Sequence, residues 1–92
     1  MQIKNAYAVT VDFDGDIKSD ASGFRIFAGE DARKEVRGLV RQALADMNLH
    51  NKEKGRASMD DSVVSDRYLD EFIDVGGDYF GNWEITIQHT EG

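Results

Sequence analysis

Apolar residues recur along the middle of the chain with the period of a helix. Val36, Leu39, Val40, Ala43, Leu44 and Met47 stand at i, i+3, i+4, i+7, i+8 and i+11, one continuous stripe on one face. The spacing predicts a helix from Glu30 to Leu49, opened by Glu30 and Asp31, whose charge suits the positive end of the helix dipole. This is the strongest periodic signal in the sequence, and the flanking segments read as what the stripe packs against. Gly38 lies inside the helix but off the stripe. A glycine there costs roughly 1 kcal/mol relative to alanine, which points to close approach of another element; the alternative is that the cost is simply tolerated. Arg33, Arg37 and Arg41 follow one another at i, i+4 and i+8 and make a basic ridge beside the stripe.

On either side the period changes to two. Tyr7, Val9, Val11 and Phe13 alternate with Ala8, Thr10 and Asp12, the pattern of a half-buried strand. Asp14-Gly15-Asp16 breaks it, and the small polar run from Ser19 to Gly23 reads as a hairpin loop. Phe24, Ile26 and Ala28 alternate with Arg25 and Phe27 in a second strand, expected to pair with the first. Trp83, Ile85 and Ile87 alternate with Glu84, Thr86 and Gln88 in a closing strand, led by Tyr79 and Phe80, with a turn or bulge at Gly81-Asn82. Large rings dominate small cores, so Trp83 and Phe80 are expected inside, and Tyr79 and Phe27 exposed.

Two segments are less regular. From His50 to Ser58 the apolar pattern is lost, and Asn51-Lys52-Glu53-Lys54-Gly55-Arg56 reads as a charged linker. In residues 60–74, Val64, Tyr68, Leu69, Phe72 and Ile73 fit an amphipathic helix capped by Asp60, Asp61 or Ser62 and ended by Gly76-Gly77. The rival reading is a strand from Tyr68 to Val75, with Leu69, Ile73 and Val75 on one parity but Phe72 and Tyr68 on the other. Parity favours the helix. The expected architecture is a single α+β domain over residues 1–92, a three-stranded antiparallel sheet with two helices on one face in the order β-β-α-α-β. The other face, bearing Thr10, Arg25, Phe27 and Thr86, is expected to be open to solvent.

Composition narrows the function classes. The 92 residues include no cysteine, which removes disulfides and thiolate metal sites. There is no basic-then-apolar leader pattern and no apolar run of the ~18 residues a membrane span needs, so a cytoplasmic location away from membranes is expected. The formal charge is −7, unsuited to direct nucleic-acid binding. That charge is unevenly spread. Residues 1–29 carry three bases and four acids, and residues 30–56 seven bases and five acids. Residues 57–92 carry one base and nine acids, so the acidity belongs to the C-terminal third.

Within that third, Asp66, Asp70 and Asp74 stand at i, i+4 and i+8. On a helix they form one ridge with a rise of about 6 Å between neighbours, flanked by Glu71 and Asp78. Like charges at this spacing cost a few tenths of a kcal/mol per pair. Two readings account for them. The ridge is a solvated face or answers Arg33, Arg37 and Arg41 on the neighbouring helix, the commoner role of such runs. Alternatively it imitates a row of backbone phosphates and enters a basic groove built for nucleic acid, with salt-sensitive affinity. In the second case Asp66, Asp70, Glu71, Asp74, Asp78 and Tyr79 are the partner-binding residues.

Other candidate chemistry is thin. Asp12, Asp14, Asp16 and Asp20 match the first, third, fifth and ninth positions of a calcium loop, but Ile17 and Gly23 occupy the positions that need glycine and glutamate. An acidic turn is the simpler reading. His50 and His89 have no second ligand at metal spacing. The serines have no nucleophile-elbow context, and Gly76-Gly77 and Gly81 lack the strand–loop–helix order of a phosphate loop. No enzyme, cofactor or metal is expected.

In size, acidity, absence of cysteine and its carboxylate ridge, the chain resembles the small acidic inhibitors of phages and mobile elements, anti-CRISPR proteins and DNA mimics among them. That resemblance implies blockade of a basic nucleic-acid-binding protein or complex by steric and electrostatic means, without catalysis. The alternative is a structural or self-assembling domain, a homodimer included, that uses its open sheet face or an edge strand. Phe27 and Tyr79 then matter, and the acids serve solubility.

Overall fold

A computed structural model of the chain describes residues 6–13, 19–56, 64–79 and 83–90. Their order is strand β1 (Ala6–Phe13), strand β2 (Gly23–Ala28), helix α1 (Ala32–Glu53), helix α2 (Asp66–Asp74), strand β3 (Gly77–Tyr79) and strand β4 (Trp83–Thr90). The strands form one antiparallel sheet in the order β2-β1-β4-β3. The α+β class is as expected. The sheet has four strands rather than three, and the element order is β-β-α-α-β-β.

The extra strand, β3, is three residues long, too short for a period-two pattern to register. It begins at Gly77, where the backbone has φ +99°, and a Cβ there would stand 1.9 Å from the carbonyl oxygen of Ile85. Only glycine allows β3 to lie this close to β4. The Gly76 carbonyl also accepts a 2.9 Å hydrogen bond from the Ile87 N–H, so pairing starts in the turn that ends α2.

Helix α1 buries Val36, Leu39, Val40, Ala43, Leu44 and Met47 as the stripe predicts, and adds Ala32, Asn48 and Asn51. Residues 51–53 are therefore helix and not linker. Asn51 continues the stripe from Met47 at i+4, a polar residue in an apolar register. The stop comes at Gly55, with φ +68°. Gly55 N–H donates to the Lys52 carbonyl, and Arg56 N–H donates to the Asn51 carbonyl at 2.7 Å. This pair of bonds closes a helix on a left-handed glycine and satisfies its last carbonyls. At Gly38 a Cβ would meet nothing within 4 Å, so among the described residues no element makes the close approach expected there.

Residues 66–74 are helix, not strand. Ser65 is the cap, its side chain accepting from the Tyr68 N–H at 3.2 Å. The expected caps Asp60, Asp61 and Ser62 lie outside the described residues. Gly76, with φ +86°, follows the last turn.

Both helices cover one face of the sheet. Tyr7, Val9, Val11, Trp83, Ile85 and Ile87 are buried beneath α1 and α2, with Leu69, Phe72 and Ile73 closing the α2 side. Register places Phe27 opposite Tyr7 and Arg25 opposite Val9, so these two join the covered face. Phe24 and Ile26, opposite Thr10 and Ala8, stand on the open face, each 63% exposed. This reverses the expected parity of β2, since Phe27 is half-buried against the core. The sequence of β2 is apolar on both parities, so alternation alone could not choose its inner face. The strand pairing chose it. Trp83 is buried and Tyr79 exposed, as expected, whereas Phe80 and Gly81-Asn82 lie outside the described residues.

Candidate functional site

The two charged ridges meet. Arg41, Arg37 and Arg33 descend one side of the seam between α1 and α2, and Asp66, Asp70 and Asp74 ascend the other. Arg41 Nη2 lies 2.6 Å from Asp66 Oδ1, Arg37 Nη1 3.1 Å from Asp70 Oδ1, and Arg33 Nε 2.9 Å from the same Asp70 oxygen. Arg33 Nη2 lies 2.8 Å from Asp74 Oδ1 and also donates to the Asp70 carbonyl at 3.2 Å. Two four-residue periods running in opposite directions produce this register. Like-charge repulsion within each ridge is offset by its neighbour.

Arg33 is the hub. Its Nη1 donates to the Tyr7 hydroxyl at 3.2 Å, so one guanidinium ties both helices to β1. Tyr7 in turn stacks on His89 of β4, with ring centroids 4.1 Å apart and planes within 3°. The Tyr7 phenol thereby gains a partner although its body is buried, as buried tyrosines require. His89 thus has a ring partner on the covered side of the sheet.

The ladder sets the electrostatics. Hydrogen bonds from Arg33 and then Arg37 hold the Asp70 carboxyl below the usual carboxylate range, a shift that outweighs its partial desolvation. The Arg33 guanidinium is held still more firmly in its charged form, chiefly by Asp74 and Tyr7. On the far side of α2, burial pushes the Tyr68 phenol up, and the nearby Asp78 carboxylate adds to the rise.

The expected partner-binding residues therefore separate into two kinds. Asp70 is spent: both its oxygens face arginines. Asp66 and Asp74 each hold an arginine with one oxygen, but their side chains remain 71% and 65% exposed. Glu71 is on the outward flank, 3.6 Å from Arg67. Asp78 and Tyr79 are exposed on β3, where Asp78 accepts from the Tyr79 N–H at 2.8 Å. Asp66, Glu71 and Asp74 share α2, and Asp78 is brought to the same helix beside Tyr68. Tyr79, by strand parity, faces the opposite, open side of the sheet.

Sequence reasoning missed a second acidic place. Asp12 of β1 and Glu84 of β4 are direct cross-strand partners, and Glu84 is also the partner of Tyr79. All three stand in one row on the open face. Like charges placed opposite each other are unfavourable, and only the pairing register, not spacing along the chain, brings them together. Asp14 and Asp16 of the calcium-like run lie outside the described residues. Among the described residues, no three histidine or acidic side chains form a metal-holding group, and no helix is long and apolar enough to cross a membrane. A groove of about 370 Å³ beside the C-terminal half of α1 is lined by Arg41, Ala45, Asn48, Leu49, Lys52 and Val64.

Comparison with known proteins finds no matching family model, no similar curated protein and no similar solved structure.

Proposed function

We propose that the protein is a small acidic inhibitor that docks on a basic, nucleic-acid-binding surface of a partner protein and blocks it without catalysis. The observation that carries this reading is the state of the outer carboxylates of α2. Asp66 and Asp74 are oriented by Arg41 and Arg33 yet remain about two-thirds exposed, with Glu71 beside them and Asp78 at the next element. A carboxylate already held in place loses less side-chain freedom on binding, so more of its attraction appears as affinity. The contact set is Asp66, Glu71, Asp74 and Asp78. Asp70 is a positioning residue that holds α2 against α1, and Tyr79 joins only if the partner reaches round the β3 edge.

The reading is tested by capture on the immobilised protein from nuclease-treated bacterial lysate at low and high salt. The wild type is expected to retain a nucleic-acid-binding protein that salt or added oligonucleotide releases. A Glu71→Lys/Asp78→Lys variant, which leaves the arginine ladder intact, is expected to lose it. Capture indifferent to salt, oligonucleotide and this variant would overturn the proposal.

A further inference from the structure

The two edges of the sheet are built differently. Edge strands offer unpaired backbone N–H and C=O groups, and proteins usually blunt them by shortness, proline, charge or bulges. At one edge, β3 is three residues long. At the other, β2 runs six residues in unbroken register with β1, and there is no proline anywhere in the chain. Among the described residues β2 pairs with β1 alone. Its single charge is Arg25, which is turned to the covered face and donates to the Asp20 and Ala21 carbonyls. Its open-face side chains are Phe24, Ile26 and Ala28, with Phe24 and Ile26 63% exposed.

We infer that β2 pairs with the β2 of a second copy, antiparallel, to make a continuous eight-stranded sheet across a twofold axis. Three observations select a second copy as the occupant. The strand is self-complementary when centred on Ile26. Ile26 then meets the second copy's Ile26, Phe24 meets its Ala28, and Arg25 stands opposite its Phe27, whose ring face attracts a cation. A twofold register shifted by one residue, centred on Arg25, sets two arginines opposite each other and is disfavoured. Charge distribution points the same way. The sheet order places β3, beside acidic α2, at the edge farthest from β2, so pairing through β2 keeps the acidic parts of two copies apart. Finally, pairing joins the exposed Phe24 and Ile26 of both copies into one apolar strip on the open face, each flanked by the other. The inference is independent of the proposed inhibitory function, whose contact residues lie on α2 and β3.

Sedimentation equilibrium over a wide concentration range tests it. The wild type is expected to show twice the 10.3 kDa chain mass at high concentration. Ile26→Lys is expected to sediment as a single chain with an unchanged circular dichroism spectrum, because Ile26 is mostly exposed within each copy. Thr86→Lys, on the same open face but on an inner strand, is expected to keep the dimer. Should Ile26→Lys misfold, hydrogen exchange of the wild type decides. The Gly23–Ala28 amides are then expected to gain protection as concentration rises, while those of β3 do not. A wild type that stays a single chain throughout overturns the inference. So does a dimer broken by Thr86→Lys and not by Ile26→Lys, which would be two sheets stacked face to face. Exchange in β2 that does not change with concentration would overturn it as well.

Discussion

Arg33 does more than any other single side chain in the described structure. It bonds Asp70, Asp74 and Tyr7, and so joins α1, α2 and β1 at one point. Partly exposed ion pairs are worth roughly 0.2–1 kcal/mol each, so Arg33→Ala is expected to lower stability by about 1–2 kcal/mol in urea unfolding. Asp70 gives this joint its pH dependence. Its carboxyl titrates lower in the folded than in the unfolded chain, so its contribution is complete above the ordinary carboxylate range and fades as pH falls through that range and below. Asp70→Asn is expected to flatten the acid limb of a stability–pH profile. An identical acid limb in the variant would show that other carboxylates govern it. Two glycines make opposite predictions. Gly38 sits in mid-helix with free space around it, so Gly38→Ala should raise stability by about 0.5–1 kcal/mol. Gly77→Ala must both enter a strained backbone region and displace the Ile85 carbonyl, and it should cost more than about 1–3 kcal/mol, with loss of amide protection in β3.

Among the helices and strands, what was legible in the sequence follows from how much pattern each one carries. Helix α1 repeats its apolar period through three turns, and its buried face was readable residue by residue. Its true end was hidden because Asn48 and Asn51 continue the stripe with polar side chains, although Gly55 offered a stop signal. Helix α2 was separable from a strand because Tyr68 and Phe72 broke alternation. Strand β2 is legible in the sequence but its inner face is not, since Phe24, Ile26 and Phe27 offer apolar groups to both sides. Strand β3 left no periodic trace at all; its signal was Gly77, and what that glycine accommodates is visible only once β4 lies beside it. The matching four-residue periods of the arginine and aspartate ridges are plain in the sequence. Spacing alone leaves their pairing as one of two readings, which the packing of α1 on α2 decides, and the Asp12–Glu84–Tyr79 row depends on the sheet register. The core beneath α1 carries the stability: Leu44 is fully buried, and Leu44→Ala should cost about 2–5 kcal/mol by the cavity it leaves.

Among the described residues, the helices cover one sheet face only, and the acids of α2 and β3 gather at one end of the sheet, away from β2. The arginine ladder engages both oxygens of Asp70 but only one oxygen each of Asp66 and Asp74, so the charge at this end is compensated in part. The exposed remainder, Asp66, Glu71, Asp74 and Asp78, is where a basic partner is proposed to dock. The decisive measurement is the salt-dependent capture of a nucleic-acid-binding partner by wild type and by the Glu71→Lys/Asp78→Lys variant. Docking through these carboxylates requires capture by the wild type at low salt, release by added oligonucleotide, and no capture by the variant. Equal retention by both proteins, unaffected by salt or oligonucleotide, would contradict it.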